Sequence, residues 1–207
     1  MKRFLLISAC LVSASLFSLS AASPKEAEAF VKSIASEPFS FSYDYEIFTE
    51  VLVVGSGKAC VFGKSYRVES GDMLFCSDGK TRWTVDSDSK EIYIESVDEA
   101  SKDYLSNPAA LLSSLSEAFT IAEEGSLTLS GKYYNGFKLV PSVKGTGLSS
   151  VTLYFSGKIP ARVEVVPVDG PKAVFTLASF AEDKKDVTRF TVDPASYGKS
   201  FFVTDLR

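Results

Sequence analysis

The sequence predicts a mainly β domain: a single curved antiparallel sheet or open barrel, with a leading helix and a second helix inserted between strands. Three observations carry this. Roughly ten short apolar segments follow one another, separated by Gly, Asn and Asp turn signals. Residues 39–49 alternate strictly, with Phe39, Phe41, Tyr43, Tyr45 and Ile47 on one face and Ser40, Ser42, Asp44, Glu46 and Phe48 on the other. Asp78-Gly79 lies between two further alternating runs and suits a tight hairpin turn.

The first 22 residues read as an export leader. Lys2 and Arg3 form a basic start, residues 4–19 are apolar and softened by Ser and Ala, and Ser20-Ala21-Ala22 is a small-residue cleavage site. Ile7-Ser8-Ala9-Cys10 has the form of a lipobox, but only about six apolar residues precede Cys10, against the 7–15 of an h-region. Cleavage after Ala22 leaves one domain, residues 23–207, expected to be soluble in an exported compartment. Residues 25–36 place Ala27, Phe30, Val31 and Ile34 at helical spacing, and Glu37-Pro38 ends that helix. The strand at 39–49 follows, then strand-like residues 51–62, interrupted by Gly55 and Gly57.

The centre of the chain is 66–86. A type I′ turn at Asp78-Gly79 sets Ser77 opposite Lys80, Cys76 opposite Thr81 and Leu74 opposite Trp83. Leu74, Cys76, Trp83 and Val85 then share an inward face, and Arg82 and Thr84 point out. Tyr66 and Val68, on the strand before, are expected to join the inward set. Residues 91–96 make another strand. Residues 98–115 break the β pattern: Ser106 or Asn107 can cap, Pro108 suits the first helical position, and Leu111, Leu112 and Leu115 follow. β segments are expected again at 119–122, 126–129, 133–141, 150–155, 161–168, 173–180 and 201–205. Glu124-Gly125, Asn135-Gly136, Ser156-Gly157 and Asp169-Gly170-Pro171 read as turns.

Composition excludes several functions. The net charge is −4, and about −6 once Lys2 and Arg3 are lost (20 basic against 26 acidic), so no basic patch for nucleic acid is expected. There is no histidine, which removes Ser-His-Asp and Cys-His arrangements and the usual zinc sets. Gly57-Lys58 and Gly63-Lys64-Ser65 superficially resemble a phosphate loop, but five residues separate the glycines instead of four and no helix follows. Glu123-Glu124, and Asp183 with Asp186, read as solvated surface beside turns. Cys60 and Cys76 fall on strands separated by a third, beyond disulfide reach, and read as small buried hydrophobes. No catalytic residue, cofactor or metal ligand is indicated. The inward aromatics fit equally a packed core or the wall of a cavity.

The order of elements, with Tyr66-Arg67-Val68-Glu69, Ser77-Asp78-Gly79-Lys80-Thr81-Arg82-Trp83 and the helix start Asn107-Pro108-Ala109-Ala110-Leu111-Leu112, resembles the LolA family of periplasmic carriers of outer-membrane lipoproteins. The resemblance implies a half-open β-barrel whose hydrophobic cavity takes the acyl chains of a lipoprotein. It makes Phe39, Phe41, Tyr43, Tyr45, Tyr66, Val68, Leu74, Trp83 and Val85 the expected cavity wall and Leu111, Leu112 and Leu115 the expected lid. It implies a non-enzymatic, monomeric periplasmic protein that receives cargo from an inner-membrane ABC transporter of the lipoprotein-releasing type and passes it to an outer-membrane acceptor. Two other readings fit such a barrel: a carrier of free lipid or glycolipid, and an exported sensor or regulator binding a membrane-protein partner. The Arg-Pro pair with which many members tether the lid is absent from Gly63-Lys64-Ser65.

Overall fold

The computed structural model describes residues 22–97, 104 and 107–207. Apart from Ala22, the leader expected at 1–22 lies outside the described residues, as do Cys10 and Ser106. Helix α1 (Pro24–Ser33) begins on a capping box: Ser23 and Glu26 each bond the other's backbone N–H, and Pro24 occupies the first turn. Its apolar stripe, Ala27, Phe30 and Val31, is buried. Eleven strands then share one sheet: β1 (Phe39–Phe48), β2 (Leu52–Phe62), β3 (Ser65–Ser70), β4 (Met73–Ser77), β5 (Thr81–Asp86), β6 (Glu91–Ser96), β7 (Phe119–Leu129), β8 (Lys132–Pro141), β9 (Leu148–Ser156), β10 (Ile159–Pro167) and β11 (Ala173–Glu182). A short β12 (Phe202–Asp205) completes it. Helix α2 (Pro108–Ala118) interrupts the sequence between β6 and β7.

The strand order is β12-β6-β5-β4-β3-β2-β1-β11-β10-β9-β8-β7, so the sheet has two free edges and does not close. Every neighbouring pair is antiparallel except β12, which runs parallel to β6. Curvature follows from a contact. Helix α2 touches β3 and β7, which stand seven strands apart in this order. Laid flat, those strands would be separated by about 34 Å at ~4.8 Å per strand, far more than a helix about 10 Å wide can bridge. The sheet therefore curls around α2.

The central hairpin differs from expectation by a slip of two residues. Ser77 pairs with Arg82, Cys76 with Trp83, Phe75 with Thr84 and Leu74 with Val85. The turn spans four residues, not two. Asp78 Oδ1 accepts from the N–H of Lys80 at 2.8 Å and of Thr81 at 2.7 Å, and only Gly79 has positive φ, at 88°. The Asp side chain thus builds the turn in place of a type I′ backbone. A two-residue slip keeps Leu74, Cys76, Trp83 and Val85 together on one face. Glu124-Gly125 and Asn135-Gly136, expected as turns, lie instead inside β7 and β8, where Gly125 pairs with Gly136. The primed turn of that hairpin is Ser130-Gly131, with φ of 51° and 75°.

The concave face is covered along much of the sheet, and the outer face over β4–β6. On the concave face one large core joins α1, α2, β1, β2, β3 and the inner residues of β8–β11. On the outer face a smaller core gathers Leu74, Cys76, Trp83, Val85, Ile92 and Ile94 beneath Val192, with Tyr197 and Phe201 packed against it. The C-terminal segment, with 3-10 turns Val187–Phe190 and Pro194–Tyr197, is the cover. Cys60 and Cys76 are free and buried. They lie on the outer face with Arg67 between them in one cross-strand row. Burial pushes both thiols up, Cys76 to about 11.

Candidate functional site

The concave wall starts on β1. Phe39, Phe41 and Tyr43 are buried, and Tyr45 and Ile47 are half-buried. Consecutive rings form a ladder: Phe41 to Tyr43 and Tyr43 to Tyr45 each have centroids 6.3 Å apart. Strand β11 supplies the second rank. Phe175 meets Tyr43 edge-on at 6.0 Å and Tyr45 at 6.5 Å. Phe180 stacks on Phe41 at 5.3 Å with 16° between planes. Simple alternation would turn Phe180 outward. A β-bulge sets Ser179 and Phe180 opposite the single residue Phe41, with Ser179 at φ 53°, and the extra residue turns Phe180 inward. Phe30 of α1 closes this end, 6.1 Å from Phe39, 5.6 Å from Phe180 and 5.5 Å from Phe155.

Strand β2 has Gly55 and Gly57 because the tyrosine rings lie across it. Tyr45 is paired with Gly55 and Tyr43 with Gly57. A Cβ on Gly57 would stand 2.6 Å from the Tyr43 hydroxyl, and one on Gly55 would collide with the Tyr45 ring. Tyr43 Oη is buried and makes no hydrogen bond among the described residues. Burial pushes its pKa up to about 12, although the nearby Ser70 hydroxyl pulls the other way.

Helix α2 lies over this wall. Asn107 caps it, accepting from the Ala110 N–H at 2.8 Å, and Pro108 begins it. Leu111, Leu112 and Leu115 are all buried, and together with Tyr66 and Val68 of β3 belong to the concave core. At its C-terminal end Glu117 pairs with Lys64, in the β2–β3 turn, at 3.0 Å. The chain thus places a cation beside the helix from the segment that lacks Arg-Pro. Both side chains are well exposed, so the pair is worth at most about 1 kcal/mol.

Six of the nine expected wall residues come together: Phe39, Phe41, Tyr43, Tyr45, Tyr66 and Val68. The other three, Leu74, Trp83 and Val85, do not join them. They lie on the outer face, under the C-terminal segment. The reason is the β3–β4 turn. Ser70 pairs with Met73 across Gly71-Asp72, so Val68 stands opposite Phe75 and Tyr66 opposite Ser77. Phe75, not Leu74, packs against the concave core, and Arg82 faces the same side, bonding Glu95 at 2.6 Å. The wall also contains Phe175, Phe180, Phe137 and Phe155, which sequence reasoning did not single out. Alternation in 173–177 marks Phe175, whereas the bulge hides Phe180. Among the described residues no group of three or more His, Cys, Asp or Glu side chains could hold a metal.

An unclosed antiparallel sheet, curled around an apolar helix and lined with aromatic rings, defines a half-barrel of the kind that binds lipid or a partner segment. Residues 71–193 match the family described as outer membrane lipoprotein carrier protein LolA, and over that span, more than half its length, the chain belongs to the LolA family. No curated protein matches the chain. Among solved structures, an uncharacterized conserved protein from Thermus thermophilus is similar in fold. Its TM-score is 0.51 at 15% identity, over 89% of this chain and 99% of the other. A LolA superfamily protein from Nitrosomonas europaea overlays with TM-score 0.46 at 9% identity, over 83% and 99% of the two chains.

Proposed function

We propose that this protein is a periplasmic carrier that holds the acyl chains of lipoproteins against its concave aromatic wall, with α2 as the movable cover. The observation that carries the reading is the wall itself. A ladder of rings from β1 and β11 is roofed by a helix that is inserted between strands and forms no part of the sheet's hydrogen-bond ladder. Such a helix can leave without breaking a strand pair. Burying one methylene is worth about 0.8 kcal/mol, so a chain of about 14 methylenes gains on the order of 10 kcal/mol before the costs of binding. Apolar walls supply that without a catalytic group. On this reading the cargo comes from an inner-membrane ABC transporter of the lipoprotein-releasing type and goes to an outer-membrane acceptor, and the leader at 1–22 directs export.

The test is displacement of an apolar fluorescent probe from the purified protein. An acylated peptide should displace it and the same peptide without acyl chains should not. Equal displacement by both makes the ligand a protein segment. Displacement by free fatty acid or glycolipid, but not by acylated peptide, makes the cargo free lipid. Native mass spectrometry of protein recovered after export should find acylated mass bound.

A further inference from the structure

The β1–β2 tip carries apolar side chains that nothing in the described fold covers. Val51 is 76% exposed and Val54 63%, and Phe48, Leu52 and Val53 are also exposed. Pairing assigns them to both faces of the hairpin: Val53 is opposite Ile47 on the concave side, whereas Leu52 is opposite Phe48 and Val54 opposite Glu46 on the outer side. The neighbouring loops extend the patch. Phe48 N–H bonds Lys172 O at 2.9 Å, and Val168 N–H bonds Gly147 O at 2.9 Å. The tip, the β10–β11 loop and the β8–β9 loop therefore stand side by side on one rim, the latter two with Val168 at 67% exposure and Val143 at 50%.

We propose that this rim docks on a lipid bilayer, with the β1–β2 tip entering the interfacial region of zwitterionic lipid. A protein groove covers one face of a hairpin, whereas a bilayer surrounds both, and here both are apolar. The charges fit the same occupant. No ionisable side chain lies between Glu50 and Lys58. Around the tip, Glu46, Glu50 and Asp169 outnumber Lys144 and Lys172, and Lys172 also pairs with Glu164 at 3.7 Å, so the rim has no cationic excess to seek anionic headgroups. Lys172 stands over the Phe48 ring with its ammonium 5.2 Å from the centroid, an aromatic body with a charged neighbour, as suits a headgroup boundary. The rim is also continuous with the concave wall, because Ile47 and Tyr45 lead from the tip to the buried rings. Docking is a property of the rim and stands apart from what the wall holds.

The experiment is flotation of the processed protein, its leader removed and its N-terminus checked by mass, with phosphatidylcholine vesicles. The wild type should float. Val51→Asp with Val54→Asp, at well-exposed positions outside both cores, should lower the partition coefficient about tenfold or more while leaving the melting curve and acyl-probe binding unchanged. Leu52→Trp should show a blue-shifted emission on vesicle addition. Three results overturn the proposal: no flotation of the wild type, equal flotation of the doubly charged variant, or flotation that requires anionic lipid and vanishes in 0.5 M salt. A wild type that is dimeric without lipid and becomes monomeric in the variant also overturns it, making the rim an interface between copies.

Discussion

Gly57 has no side chain because the Tyr43 ring and the Glu69 carbonyl take its place: a Cβ there would meet the phenolic oxygen and Glu69 O each at 2.6 Å and the ring carbon beside the hydroxyl at 2.7 Å. Tyr43 is buried and cannot swing aside cheaply. Gly57→Ala should therefore cost about 1–3 kcal/mol by overpacking, measured by urea unfolding. Combined with Tyr43→Ala, only part of that cost should be recovered, because the Glu69 carbonyl oxygen, 2.6 Å from the added Cβ, remains. Strictly additive losses would show that the ring plays no part in excluding the side chain.

The bulge at Ser179 separates backbone strain from side-chain packing. Ser179→Gly should be neutral or stabilise by up to about 1 kcal/mol, since φ 53° suits glycine. Phe180→Ala removes the ring stacked on Phe41 and bordered by Phe30 and Phe39, and should cost about 2 kcal/mol or more. Unfolding midpoints of the two variants check both directions.

Leu112→Asp sets a charge where hydrocarbon surrounds it. The expected result is that α2 undocks while the sheet persists, because α2 contributes no strand pair. Acyl-probe binding should then weaken, with a near-normal melt. A collapse of the melt would make α2 a fixed part of the core. Lys64→Ala should open the same cover only slightly, changing probe affinity by less than about fivefold, because the exposed pair with Glu117 is weak.

Alkaline pH should destabilise the protein in a defined window. Burial raises Cys76 from 9.0 to about 11 and Tyr43 from 10.0 to about 12. In each case the unfolded chain loses its proton first as pH rises. The stabilisation is thus full below pH 9 and is lost as pH climbs toward 12. Tyr43→Phe should flatten the upper part of the fall. At neutral pH it should be neutral or stabilising, since the hydroxyl it removes is buried without a hydrogen bond. Urea midpoints from pH 7 to pH 11 measure this.

Local rules determined most of the strands, both helices and the open-sheet class. Alternation in 39–49 and the Asn107-Pro108 helix start each depend on neighbours within a few residues. The identity of the concave wall was only half local. The alternation at 73–86 shows two faces, but the apolar one lies under the C-terminal segment on the outer side, so apolar character alone does not tell concave from outer. Leu74, Trp83 and Val85 could be assigned only by counting through the Gly71-Asp72 turn from Tyr66 and Val68, a count open to sequence reasoning at that turn alone. Other features needed the fold. Gly55, Gly57 and Gly136 read as turn punctuation, but each accommodates a ring from the neighbouring strand, Tyr45, Tyr43 and Tyr154. The inward turn of Phe180 rests on a bulge at an ordinary serine, and the outer core exists because residues 187–201 return over strands formed about 100 residues earlier. Such long-range pairings are decided by which surfaces meet when the chain closes, and neither propensity nor periodicity encodes them.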